Sequence, residues 1–288
     1  MPGGGLHPSR NREAKVRQTG PSTYTIGSYE VVRHIAQGND SAVYEVRCPE
    51  TGEPRAMKLA SIRDSRFRRL QRTFSALNRL SHPNIIRVHE LGTTEDGRPY
   101  LIFDFINGMP AQVYAKSLGP AGTKQRTEAV ITIGIQLAGA LDYLHDHQMI
   151  HRDIKSANVL VEPDTRTRLI DFGSALMPGA TQPPEAEFIG TYTYAPPEQI
   201  KGHPVSPESD IYAMGVLMYR LLSGVRPFRA DSVRELARMH LEERAIPLIE
   251  RVPGMPASIS ELVDHMMAKE RGQRPRKARA VADALRGL

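Results

Sequence analysis

The pattern of apolar and polar positions changes character once along this chain. From Tyr29 onward the runs YEVVRHIA, SAVYEVRC and RAMKLA are short and β-type, and they are separated by Gly38-Asn39-Asp40 and by Glu50-Thr51-Gly52-Glu53-Pro54. That texture predicts consecutive antiparallel strands. From about Asp64 to Leu80, Phe67, Leu70, Phe74, Leu77 and Leu80 recur at spacings of three and four, which predicts one amphipathic helix stopped by Ser81-His82-Pro83. Two more strand-like runs, IIRVHELG and PYLIFDFI, meet at Glu95-Asp96-Gly97. The first third thus reads as a five-stranded antiparallel sheet with one helix, a small α+β lobe.

After Asn107-Gly108 the period becomes helical. Segments Glu128 to His147, Ser209 to Leu222, Ser232 to Arg244, Ser258 to Met267 and Ala278 to Leu288 each repeat apolar residues at helical spacing. Between the first two lies MIHRDIKSANVLVEPDTRTRLIDFGSAL, in which two short apolar runs flank a cluster of charged residues. Residues 1–27 are rich in Gly, Pro, Ser and Arg without apolar period and read as a flexible basic tail. The expected division is tail 1–27, first lobe 28–107 and a mainly helical second lobe 108–288, with 29–288 forming one bilobal domain.

Composition narrows the classes. With 288 residues, 40% hydrophobic and 24% charged, the chain is long enough for a full core and is neither collagen-like nor disordered. No apolar run approaches the roughly 20 residues of a membrane span, so a soluble protein without membrane partner is expected. A lone cysteine, Cys48, excludes an internal disulfide and suits a reducing cytoplasm, with export as an effector the alternative left open. The net charge of +6 is concentrated in two places. One is the tail (Arg10, Arg12, Lys15, Arg17); the other is the first-lobe helix (Arg63, Arg66, Arg68, Arg69, Arg72, with Arg79 just beyond). Neither cluster is interleaved with stacking aromatics, so a solvated face is favoured over nucleic-acid binding, and a regulatory protein is the partner to be expected if one docks there.

The chemistry concentrates in two motifs. In HRDIKSANVL, Asp153, Lys155 and Asn158 place a carboxylate, an ammonium and an amide within six residues, next to the apolar Val159-Leu160. Thirteen residues beyond Asn158, LIDFGSA sets a second carboxylate, Asp171, at the end of an apolar run. Two carboxyl groups and an amide are hard-oxygen ligands of the kind Mg²⁺ takes when it also holds phosphate. A surface loop with a local salt bridge is the plainer reading of the first motif. No Gly-Lys pair occurs, which excludes a P-loop nucleotidase.

These motifs, in this order and spacing over residues 29–288, resemble the eukaryotic-type protein kinases, and the lysine of HRDIKSAN resembles the serine/threonine branch. An Arg-rich, Trp-free chain suits a bacterial member. The resemblance implies a bilobal kinase fold, ATP with Mg²⁺ or Mn²⁺, and protein substrates. It implies that Lys58 of AMKL holds the α- and β-phosphates, that Asp153 accepts the substrate hydroxyl's proton, and that Lys155 steadies the transferred phosphoryl. Asn158 and Asp171 match the metal ligands. In IAQGNDSAV only Gly38 of the usual three glycines is present, with Ala36 and Ser41 at the other two positions. Ile35, Val43, Ala56 and Leu160 match the positions around adenine, and Asp104 to Ile106 the hinge that reads its edge, with Phe103 just before it. All of this expects the ammonium, the two carboxylates and the amide to gather around a single nucleotide and its ion.

The same resemblance supplies expectations for structure. Leu77, Val88, His151 and Phe172 match a stacked internal spine, Asp210 an anchor of the catalytic loop, and Glu198 of YAPPE a partner for Arg274 of QRP. The activation segment, Asp171 to Glu198, offers Ser174, Thr181, Thr191 and Thr193. Arg152 implies a phosphate acceptor there, with Thr181 or Thr193 as the autophosphorylation site and Thr191 beside Asp153 and Lys155. One departure stands out: counting back nine from His82, the helix position where the family has the glutamate that pairs with the strand lysine is Thr73. With Ala36 and Ser41, it keeps open a pseudokinase that binds nucleotide as a scaffold. A small-molecule phosphotransferase of related fold is a further alternative, opposed by the activation segment.

Overall fold

The structure is a computed structural model that describes residues 24–38, 41–61, 67–180 and 192–288, with the side chains of residues 67–69 also left aside. The chain forms two compact units: Met1–Leu70 with His89–Phe105, and Gln71–Val88 with Ile106–Leu288. The tail up to residue 23 and Arg63, Asp64, Arg66, Thr181 and Thr191 fall outside the described residues, as do the Arg68 and Arg69 side chains. Arg72 and Arg79 are exposed.

The first unit is built on one sheet. Its strands are β1 (Thr25–Ile26), β2 (Tyr29–Gln37), β3 (Ser41–Arg47), β4 (Pro54–Ala60), β5 (Val88–Thr93) and β6 (Pro99–Asp104), in the spatial order β1-β2-β3-β4-β6-β5. The expected five strands are therefore joined by a sixth, drawn from the end of the segment read as tail. Gly27, at φ 59°, reverses the chain so that Thr25 and Ile26 pair with Glu30 and Tyr29. Ile26 then enters the core formed by Tyr29, Val46, Met57, Leu59, Tyr100 and Ile102. Burial of that apolar face, rather than any two-residue pattern, specifies β1.

Helix α1 (Phe67–Leu77) is shorter than expected, ending before Asn78. Leu70, Thr73, Phe74 and Leu77 share its less exposed face, with Thr73 and Leu77 buried.

The second unit is mainly helical: α2 (Ala111–Ser117), α3 (Lys124–Asp146), α4 (Pro197–Ile200), α5 (Pro207–Ser223), α6 (Val233–Glu242), α7 (Leu248–Arg251), α8 (Ala257–Met266) and α9 (Ala278–Arg286). A small antiparallel sheet, β7 (Met109–Pro110), β8 (Val159–Val161) and β9 (Thr167–Leu169), carries the charged motifs. Gly108 lets the chain pass over β8, since a Cβ there would lie 2.8 Å from the Val161 carbonyl oxygen. The α5 helix is apolar nearly all round and is the centre of the unit, as expected for a helix with no solvent face. At its start Ser209 Oγ accepts from Ser206 N at 3.0 Å, and Gly224, at φ 80°, ends it. The buried Arg126 side chain donates from Nε and Nη2 to the Leu221 carbonyl at 2.9 and 2.7 Å, satisfying a helix-end acceptor. Among the described residues no helix is long and apolar enough to cross a membrane.

Candidate active site

In the first unit, strand register places the candidate nucleotide residues in cross-strand rows. Ala36 lies opposite Val43, Val43 opposite Lys58, and Lys58 opposite Leu101. Ala56 lies opposite Glu45 and Phe103. Directly paired residues share a sheet face, so Ala36, Val43, Ala56 and Lys58 stand together on the face turned away from the Met57 core. A register shift in β2 between His34 and Ala36 interrupts the alternation at Ile35, which is exposed. The β2–β3 hairpin closes with Gly38 N donating to Ser41 O at 2.8 Å. A Cβ on Gly38 would sit 3.3 Å from that oxygen, so the glycine keeps the turn bare. At the end of β6, the Asp104 carboxylate meets His89 Nε2 at 2.7 Å.

In the second unit, the loop before β8 draws three motif residues together. Asp153 Oδ2 accepts from Lys155 Nζ at 2.7 Å and from Asn158 Nδ2 at 3.0 Å, and Asn158 Nδ2 also donates to the Asp153 carbonyl at 2.8 Å. The Asn158 amide nitrogen is thereby committed, and its oxygen accepts no hydrogen bond from the described residues. Asp171 adopts φ 59° and its carboxylate accepts from Gly173 N at 3.2 Å while the residue stays exposed. Leu160 is half-buried in β8, Ile106 buried. Among the described residues no three or more His, Cys, Asp or Glu cluster into a self-contained metal site. The Asp171 carboxylate and the Asn158 amide oxygen are hard-oxygen donors of the kind that fits Mg²⁺, which keeps waters and substrate phosphates as most of its ligands.

A second network holds this loop. The fully buried Asp210 carboxylate, at the start of α5, accepts from the backbone N–H groups of His151 and Arg152 and from His145 Nε2, all at 2.9 Å. Burial would raise its pKa, but the hydrogen bond and charge of His145, with those of His151, hold it below the ordinary carboxylate value. These bonds fix Arg152 at φ 64°, a left-handed conformation that costs on the order of 1–3 kcal/mol for a non-glycine residue. His151 is fully buried, packs edge-on against Phe172 at 4.9 Å and donates from Nε2 to Ile170 O. Leu77 and Val88 are buried as well. Arg152 Nε donates to Ser174 O at 2.6 Å. Thr193 lies half-buried in a 3-10 turn, Tyr192–Tyr194.

Glu198 and Arg274 meet through two bonds of 2.8 and 2.9 Å, both side chains buried, and Ser209 Oγ adds a third bond to the carboxylate at 2.6 Å.

The protein kinase domain description matches residues 29–285. This chain belongs to the protein kinase domain family. The kinase domain is 32% identical over 271 residues to serine/threonine-protein kinase PknA of Mycobacterium tuberculosis (strain ATCC 25618 / H37Rv), covering 90% of this chain and 61% of that protein. It is 34% identical over 256 residues to PknD of the same strain, covering 86% and 38%. A probable serine/threonine-protein kinase of Clostridium perfringens is 30% identical over 258 residues, covering 88% and 37%. The chain thus spans between about a third and three-fifths of the length of these relatives.

Several contacts that shape the kinase domain have no signature in the sequence. His145 reaches Asp210 across 65 positions and Ser209 reaches Glu198 across 11. Arg220, in the last turn of α5, donates from Nη1 to Tyr194 OH at 2.6 Å.

Proposed function

We propose that the protein is a serine/threonine protein kinase that moves the γ-phosphoryl group of ATP to protein hydroxyls. The observation that carries this reading is the Asp153–Lys155–Asn158 cluster, in which one carboxylate oxygen is held by an ammonium and an amide. Phosphoryl transfer has a loose transition state, so the protein's work is positioning and charge neutralisation. In this reading Asp153 takes the proton of the substrate hydroxyl as its oxygen bonds to the γ-phosphorus, the bond to ADP breaks, and Lys155 steadies the charge on the moving group. Lys58 holds the α- and β-phosphates, and the bare backbone at Gly38, flanked by Ala36 and Ser41, covers them. Ile35, Val43, Ala56 and Leu160 enclose adenine, whose edge the backbone of Asp104 to Ile106 reads. Asn158 and Asp171 hold the Mg²⁺ or Mn²⁺ ion, which supplies positive charge to the phosphates. Autophosphorylation on the activation segment and a regulatory protein at the basic clusters extend the reading.

Incubation with labelled ATP, Mg²⁺ and a generic basic protein is expected to transfer label, and a chelator to abolish the transfer. Nucleotide binding without label on any protein would favour the scaffold reading instead, which rests on Ala36, Ser41 and the buried Thr73 of α1. A neutral threonine cannot replace a charge-assisted bond worth roughly 1.5–3 kcal/mol, about ten- to a hundredfold in rate. Thr73→Glu is therefore expected to raise turnover or leave it unchanged. A clear drop in kcat of a variant with wild-type circular dichroism would show that the family's glutamate position lies elsewhere on α1.

A further inference from the structure

We propose that Arg220 is a receptor for a carboxylate of the substrate, and that the protein prefers acceptor hydroxyls flanked by Asp or Glu; this rests on the kinase reading and names its substrate class. From Ser209 to Leu222 every residue of α5 is buried except Arg220, which is half-buried. Its partners among the described residues are the Tyr194 hydroxyl at 2.6 Å and the Tyr194 ring, whose centroid lies 5.9 Å from the guanidinium carbon. Five N–H donors point outward from a guanidinium, and one is used by that bond.

The two buried arginines among the described residues are spent. Arg274 meets Glu198 and three carbonyls, and Arg126 meets the carbonyls of Leu221 and Gly119. Arg220 has no carboxylate within 4 Å among the described residues. A partly desolvated guanidinium with spare donors binds carboxylate in paired, charge-assisted fashion.

Its partner Tyr194 belongs to the stretch that braces the Asp153 loop. Tyr194, which touches Arg220, and Gln199, whose amide donates to the carbonyl of Arg152 next to Asp153, lie on one short stretch. Within residues 192–201 the single carboxylate, Glu198, is buried against Arg274. Lys201 and Arg220 thus leave an excess of positive charge along this stretch, which attracts acidic flanks and repels basic ones.

The test uses three fluorescein-labelled peptides of equal length, each with one serine, flanked by Glu, Gln or Lys. Anisotropy without nucleotide is expected to rank wild-type affinity Glu, Gln, Lys, with Glu about tenfold tighter than Gln. Arg220→Gln should bring the Glu peptide to the level of the Gln peptide and leave the latter unchanged, while Arg220→Lys keeps part of the preference. The same order is expected in kcat/KM with ATP. Equal affinity for the three peptides, no measurable binding of the Glu peptide, or an equal loss for all three in Arg220→Gln overturns the proposal. The wild-type ranking needs no variant, so a misfolded substitution leaves the proposal open to refutation. Arg220-dependent binding without phosphorylated product would overturn the kinase reading alone, and equal phosphorylation of all three peptides the receptor alone.

Discussion

Asp153→Asn is expected to lower kcat by a factor of roughly 100 to 10,000, the span that a positioned general base contributes. The substitution is nearly isosteric. An asparagine oxygen at the same place still accepts from Lys155 Nζ, now 2.7 Å from Oδ2, so the loop should hold its shape while the proton acceptor is lost. Nucleotide affinity should change little, because the proposed phosphate contacts are made by Lys58 and the turn at Gly38. Measurement of ADP release and labelled product, with nucleotide binding followed by fluorescence, separates the two. A kcat within threefold of wild type would remove Asp153 from the chemistry. Phosphopeptide mapping of the same pair of proteins reads the activation segment: sites at Thr181 or Thr193 should vanish in the variant, and identical maps would mean another enzyme placed them.

The parts of this molecule that sequence made visible are those whose physics is local. Asp153, Lys155 and Asn158 lie within six positions, and the bonds among them are the short-range ones their spacing allows. The long helices α3, α5 and α8 run for ten residues or more, enough turns for a 3.6-residue period to show, and each begins and ends within four residues of its expected bounds. The short ones were not visible: α4 and α7 have four residues each and α2 seven, too few for a period, and tertiary packing specifies them. Strand β1 is the same case, two residues defined by the burial of Ile26. The anchor at Asp210 shows the other kind of limit. Its carboxylate is a motif residue, but His145 carries no mark of its role until the fold brings it 2.9 Å away. Arg220 is similar: by position it reads as a last-turn cation complementing the helix dipole, and what sets it apart is that no carboxylate among the described residues pairs with it.

Arg274→Ala is expected to cost about 3–5 kcal/mol of stability, the usual result of stripping one partner from a buried ion pair. At roughly 2–4 °C per kcal/mol for a chain of this size, the melting temperature should fall by roughly 6–20 °C. The reason is asymmetry. Glu198 would stay buried with Ser209 as its remaining side-chain partner, and the carbonyls of Ala268, Glu208 and Lys269 would lose their donors. Replacing both partners with apolar residues, as in Glu198→Leu with Arg274→Met, should cost less than Arg274→Ala alone, since no charge is then left behind. The pair also sets a pH window. Burial by itself would raise the Glu198 pKa, but the hydrogen bond and charge of Arg274 with the bond from Ser209 hold it below its ordinary value of 4.5. A carboxylate depressed in the folded state binds fewer protons there than in the unfolded chain. Its stabilisation is therefore present above pH 4.5 and is lost as pH falls through the folded pKa. Thermal unfolding followed by circular dichroism should accordingly show wild type losing stability below pH 4.5 more steeply than the doubly apolar variant, whose curve lacks this group. Parallel curves in acid would mean that Glu198 titrates alike in both states and that Arg274 stabilises the fold by its bonds to the carbonyls of Ala268, Glu208 and Lys269 alone.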